Sequence, residues 1–151
     1  MSDTILKICQ VRGVPPTRAH DLDAGMDLRW HPEQGQPAHM WLMRGNRYTL
    51  TTGTKISLEP GYEAQVRPRS GLAHKHGLLL LNAPGTIDCG YHGEIHVIMY
   101  NTGRSIELRA GDRIAQLVVQ RVPTVHVDLC GVEDLGTSER GEKGLGSSGV
   151  K

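Results

Sequence analysis

Residues 94–122 read EIHVIMYNTGRSIELRAGDRIAQLVVQRV, and the punctuation of this stretch decides the fold. Three β-like runs, 94–100, 106–108 and 114–122, are separated by Asn101-Thr102-Gly103 and Ala110-Gly111-Asp112. Asn, Asp and Gly at such points supply turn chemistry, through αL-tolerant backbones and short side chains that bond their own main chain. The Val- and Ile-rich runs between them suit a pleated, half-buried surface. Toward the N-terminus the rhythm repeats at 5–11, 24–29, 48–50, 55–58, 63–67 and 78–81, with turns at Arg44-Gly45-Asn46 and Glu59-Pro60-Gly61. Of these, 78–81 is expected to be a buried strand. Toward the C-terminus one more run covers 125–129. Short runs at roughly 8–12-residue spacing predict an all-β sandwich or barrel.

The 151 residues fit one domain, and 19 Gly and eight Pro favour turns over long helices. One short helix is expected, with Ser70 as N-cap and Gly77 as C-terminal cap. Lys75, His74 and His76 lie toward its C-terminal end, as the helix dipole prefers, while Arg67 and Arg69 precede an N-terminus suited to anions. A net charge of +1 without a dense basic run argues against a protein that coats nucleic acid. No apolar run is long enough to span a bilayer, and MSDTILKICQ lacks the features of a signal peptide. Three cysteines without a CxxC pattern read as free thiols in a reducing compartment, so a cytoplasmic location is expected.

The last stretch, 136–151, changes character. GTSERGEKGLGSSGVK carries five glycines and four serines or threonines, too few apolar groups for a core of its own. It reads as a flexible lid whose amides wrap a phosphate chain, appended to a β domain over 1–135.

Five segments together resemble the trimeric dUTPase family: Ala24-Gly25-Met26-Asp27-Leu28; Arg67-Pro68-Arg69-Ser70-Gly71-Leu72-Ala73; 82–95, NAPGTIDCGYHGEI; 111–117, GDRIAQL; and 140–149, RGEKGLGSSG. They follow the family's order from near residue 24 to the end. The resemblance implies a jelly-roll (β-clip) subunit and a homotrimer. Each active site is then shared by three chains, the third segment coming from one neighbour and the fifth from another. It also implies hydrolysis of dUTP to dUMP and pyrophosphate by water attack on the α-phosphate. That activity limits uracil incorporation into DNA and supplies dUMP for dTMP synthesis.

The same resemblance distributes the roles. Asp88 would be the general base for the attacking water, a function typically contributing about 10²–10⁴-fold in rate. Asp27 would act indirectly, holding waters of a Mg2+ ion bound mostly by the phosphates. Arg69, Ser70, Gly71 and Gln116 would contact phosphate, with Arg69 alternatively a structural partner for a carboxylate nearby. A hairpin over 82–91 would read uracil through Asn82, Gly85, Thr86 and Ile87, with His96 as a further contact. Tyr91 would pack on the deoxyribose and leave no room for a 2′-hydroxyl. Arg140, Gly146, Ser147 and Ser148 would clamp the outer phosphates, and Leu145 would cover the base.

The chain departs from the family pattern at three positions. Leu145 stands where an aromatic residue stacks on uracil, Lys143 where glycine is usual, and His92 where arginine or glutamine is common. Two rival readings use the same fold. A dCTP deaminase would need a glutamate acid/base, for which Glu94 is the available residue. A non-catalytic dUTP-sensing module could present 30–41, with Trp30 and Trp41, as an interaction loop.

Overall fold

The structure, a computed structural model, describes residues 6–144. Strands alternate with tight turns: β1 (Lys7–Gln10), β2 (Gly25–Arg29), β3 (His39–Leu42), β4 (Arg47–Thr51), β5 (Thr54–Ser57) and β6 (Tyr62–Arg67). Helix α1 (Ser70–His76) follows, then β7 (Leu78–Leu80), β8 (Gly85–Ile87), β9 (His96–Asn101), β10 (Ile106–Arg109) and β11 (Arg113–Arg121). A 3-10 turn, Val132–Leu135, lies in the C-terminal stretch. All pairings are antiparallel. One sheet has the order β2-β11-β6-β8, another β4-β9-β7, and β1–β5 and β3–β10 form separate pairs.

β11 organises the larger sheet because it is long enough to pair on both sides. Gln116 sits opposite Asp27 on β2 and opposite Arg67 on β6. Period-2 alternation then sends Met26, Leu28, Ala64, Val66 and Leu117 inward. They meet Leu50, Leu78, Leu80, Val97 and Met99 from the smaller sheet in one core, which Leu42 and Leu108 complete. A register shift between Arg113 and Ala115 lets Ile114 and Ala115 both be buried.

Several expectations need correction. The stretch 30–41 is not all loop, because β3 emerges from it and pairs Trp41 with Glu107. Trp30 is a core residue at 4% exposure, whereas Trp41 is 55% exposed. The run 78–81 is half-buried: Leu78 and Leu80 face the core while Leu79 and Leu81 face out. No strand forms at 125–129, where Val125, Val127 and Leu129 are exposed and no neighbouring strand offers hydrogen bonds. The N-cap of α1 is Arg69 with extended backbone and no side-chain bond, so Ser70 is the first helical residue. Gly77 does close the helix, at φ 65, donating its amide to Ala73 and Leu72 carbonyls. Among the described residues no helix is long and apolar enough to cross a membrane.

Candidate functional site

Asp27 lies on the outward face of β2, between the inward Met26 and Leu28, yet it is only 7% exposed. Two arginines cover it. Arg113 donates from Nη1 to Oδ2 at 3.3 Å, and Arg69 Nε lies 3.0 Å from Oδ1. Arg69 also donates to the Arg113 carbonyl at 3.2 Å, which ties the start of α1 to β11. The Arg69 contact with Oδ1 is close but poorly directed, and Oδ1 remains a buried oxygen without a hydrogen bond. Arg69 thus pairs with a carboxylate near the site, and Arg113 shares that carboxylate.

Gln116 adjoins Asp27 across the sheet. Its side chain lies over Gly25, where an added Cβ would come within 3.4 Å of it. At the mouth of α1 the Arg69 carbonyl takes the amides of Leu72 and Ala73, each at 3.1 Å. The amides of Ser70 and Gly71 precede the first turn's bonds and point outward, as helix starts require. Arg67 is held by two bonds to Gln65 at 3.0 and 2.8 Å, and Gln65 in turn donates to Glu63 at 2.6 Å. Asp27, Arg69, Ser70, Gly71 and Gln116 thus form one cluster at the β2–β11–α1 corner.

The third segment forms a second cluster elsewhere. The expected hairpin over 82–91 is instead a corner between sheets: β7 pairs with β9, while β8 pairs with β6, Thr86 opposite Gln65. At Gly85 an added Cβ would sit 3.1 Å from Asn82 Nδ2, so the Asn82 side chain packs closely over the glycine. Asp88 follows β8 directly and is exposed. Its carbonyl accepts the Tyr91 amide at 3.0 Å, turning the chain and leaving its carboxylate at a surface cleft beside Tyr62, Glu63 and Val122. Tyr91 folds back so that its hydroxyl donates to the Glu94 carbonyl at 2.9 Å. His96 opens β9, exposed and opposite Thr51.

Within one chain the two clusters stay apart. β2 and β8 are opposite edges of a four-stranded sheet. Three strand spacings separate them, about 14 Å, too far for one phosphoryl centre to be served by both. Arg140 sits in the exposed C-terminal stretch, where its Nε donates to the Lys143 carbonyl at 3.0 Å. Leu145, Gly146, Ser147 and Ser148 lie outside the described residues.

Among the described residues no group of three His, Cys, Asp or Glu side chains could enclose a metal ion. The free lone pair of Asp27 Oδ1 fits a weaker role, accepting a hydrogen bond from a water on an ion held by other ligands. Cys9, Cys89 and Cys130 are unpaired thiols, as the spacing predicted.

Sequence reasoning missed one constellation. Glu94 forms an ion pair with Arg12, and its Oε1 accepts the amides of Thr52 at 3.1 Å and Gly53 at 2.8 Å. Burial raises its pKa, but the Arg12 guanidinium and the Gly53 amide outweigh burial and hold the carboxyl below its ordinary range. The only signal in the sequence was Glu94 itself, whose partners lie far away along the chain.

A family model described as dUTPase matches residues 13–149. The deoxyuridine 5'-triphosphate nucleotidohydrolase of Cutibacterium acnes is 44% identical over 152 residues, spanning 99% of this chain and 95% of that one. Among solved structures, the dUTPase of Staphylococcus bacteriophage 80alpha with dUPNHPP superposes with a TM-score of 0.81 at 28% identity, covering 97% of this chain and 99% of that one. A mutant dUTPase from phage phi11 of S. aureus, in which a structural Mg(II) ion is coordinated, shares the fold at TM-score 0.73 and 21% identity, over 83% and 96% of the two chains. The fold is accordingly a jelly roll rather than a closed barrel.

Proposed function

This chain belongs to the dUTPase family and hydrolyses dUTP to dUMP and pyrophosphate, and we propose that Asp88 of one copy and the Asp27 cluster of another perform the reaction together. The observation that carries this division is the separation of the two clusters across the β2-β11-β6-β8 sheet. A homotrimer joins them. Its support in this chain is the C-terminal stretch, where Val125, Val127, Leu129, Val132 and Leu135 are 73–93% exposed. Burying each such side chain contributes roughly 1.5–3 kcal/mol, which favours a second copy as the cover.

In the shared site Asp88 accepts a proton from the water that attacks the α-phosphorus. The new P–O bond forms as the bond to the bridging oxygen breaks, and pyrophosphate leaves with that electron pair. Ser70 and Gly71 present a hydroxyl and amides to the phosphates at the start of α1. Gln116 adds a neutral donor, and the two arginines hold the Asp27 carboxylate in place. Asp27 Oδ1, a buried oxygen without a hydrogen bond, would hold a water of a Mg2+ ion carried by the substrate, and that ion would supply charge neutralisation at the phosphates. Backbone groups over 82–87 read uracil, with His96 as a further contact. Tyr91 excludes a 2′-hydroxyl by shape. Arg140 and the residues to Ser148 close over the outer phosphates, with Leu145 covering the base.

The deaminase reading loses its catalyst. A general acid/base must exchange protons with substrate, and Glu94 is committed to Arg12 and two amides.

Pyrophosphate release from dUTP, dCTP, dTTP and UTP, with and without Mg2+, tests the reading. Release from dUTP that requires Mg2+, with little from the others, is expected. No release from dUTP, or ammonia from dCTP, would overturn it.

A further inference from the structure

Tyr91 is 42% exposed, so packing alone does not define where its ring lies. Its second anchor is the hydroxyl, which donates to the Glu94 carbonyl at 2.9 Å. With the Tyr91 amide on the Asp88 carbonyl, this closes a short loop at both ends. The loop is tight enough that a Cβ on Gly93 would collide with the Tyr91 hydroxyl.

The oxygen that receives this hydroxyl is unusually well fixed. The Glu94 side chain is 13% exposed and paired with Arg12. Its Oε1 takes the amides of Thr52 and Gly53 from the turn between β4 and β5. Gly53 has φ +67, and a Cβ there would collide with the Arg12 carbonyl. Next along the chain, the Ile95 amide donates to Thr54 O at 2.8 Å and the Thr52 hydroxyl donates to Ile95 O at 2.7 Å. Gln10 closes the network, accepting the Thr54 hydroxyl at 2.8 Å and donating to Thr52 O at 3.1 Å.

We propose that Glu94 is a positioning residue for sugar selection: held by Arg12 and the Thr52 and Gly53 amides, it fixes the backbone oxygen that aims the Tyr91 ring at C2′. This rests on the reading of Tyr91 as the gate against ribonucleotides. Loosening the latch lets the ring swing, so a 2′-hydroxyl is tolerated and deoxyribose is gripped less well.

The test is the ratio of kcat/KM for dUTP over UTP in the full chain with Mg2+. One hydrogen bond's worth of ordering corresponds to about 3- to 10-fold. Glu94→Gln and Tyr91→Phe should each lower the ratio by that amount, with KM for dUTP moving more than kcat. Because both act through one hydroxyl, the double variant should lower it no further than Tyr91→Phe alone. Should Glu94→Gln fail to fold, Arg12→Lys loosens the same carboxylate and carries the same expectation. Tyr91→Ala separates the two ideas. If it relaxes the ratio while Glu94→Gln and Arg12→Lys do not, or if the double variant is additive, the latch is wrong and the gate stands. If Tyr91→Ala leaves the ratio unchanged, the gate falls and the latch falls with it.

Discussion

Asp88 emerges from a three-residue strand into an exposed turn, its main chain committed to Tyr91 and its carboxylate at an open cleft. That is what a general base must offer: a fixed stem and an accessible lone pair. Asp88→Asn should therefore retain dUTP binding by calorimetry while kcat falls by about 10²–10⁴-fold. Turnover near wild type would remove Asp88 as the base. His31 offers a second prediction at this scale. Burial lowers its pKa first, and the Arg29 and Arg12 charges lower it further. The Val14 amide donates to its Nε2 at 3.2 Å, which requires the neutral ring. The folded state thus resists protonation more than the unfolded chain, so the contribution of His31 is complete above the ordinary histidine pKa and declines as pH falls below it. Glu94, also held low, contributes above the ordinary carboxylate range and loses that contribution at still lower pH. Melting temperature should fall from pH 7 toward pH 5, and His31→Asn should flatten the upper part of that fall. An unchanged profile in the variant would contradict this.

Elements were legible in the sequence where local chemistry was strong. Gly77 was readable as a cap because only a residue tolerant of φ 65 fits there, and Thr102 Oγ1 would lie 2.7 Å from an added Cβ. Gly77→Ala should cost about 1–3 kcal/mol in denaturant unfolding. A loss below about 0.5 kcal/mol would show that the helix end can relax. β11 was equally plain, since a long Val- and Ile-rich run between turn residues has few alternatives. β8 was not, because Gly85-Thr86-Ile87 has too little apolar pattern to announce a strand, and its partner β6 lies some twenty residues back. β3 was hidden for a related reason: His39–Leu42 mixes polar and apolar residues and finds its pair, β10, far along the chain. The Asp27 clamp was half-visible. Its carboxylate and both arginines stood in recognisable segments, but which arginine met which acid depends on where the chain entering α1 passes β11, fixed by the Arg69 bond to the Arg113 carbonyl.

Across the whole molecule, the run 125–129 is the informative disagreement. Its alternation resembles a strand, yet within one chain the residues are exposed and unpaired by any neighbouring strand. In the proposed trimer a partner copy covers this run, so sedimentation should give three times the chain mass. A stable monomer would contradict the shared site. Truncation after Gly136 should leave that assembly folded while dUTP hydrolysis drops by at least about tenfold, since closure over the outer phosphates is removed. Full turnover by the shortened chain would exclude a lid.

The sharing of one site between copies is tested most directly by subunit mixing. Asp88→Asn and a Ser70→Ala, Gln116→Ala double variant are each purified, unfolded together, refolded, and assayed for pyrophosphate release from dUTP with Mg2+. Mixed assemblies should contain sites with intact Asp88 from one chain and an intact Asp27 cluster from another, so activity well above either parent is predicted. Activity no greater than the sum of the two parents, in assemblies verified to be mixed, would place the whole site within a single chain and contradict the account.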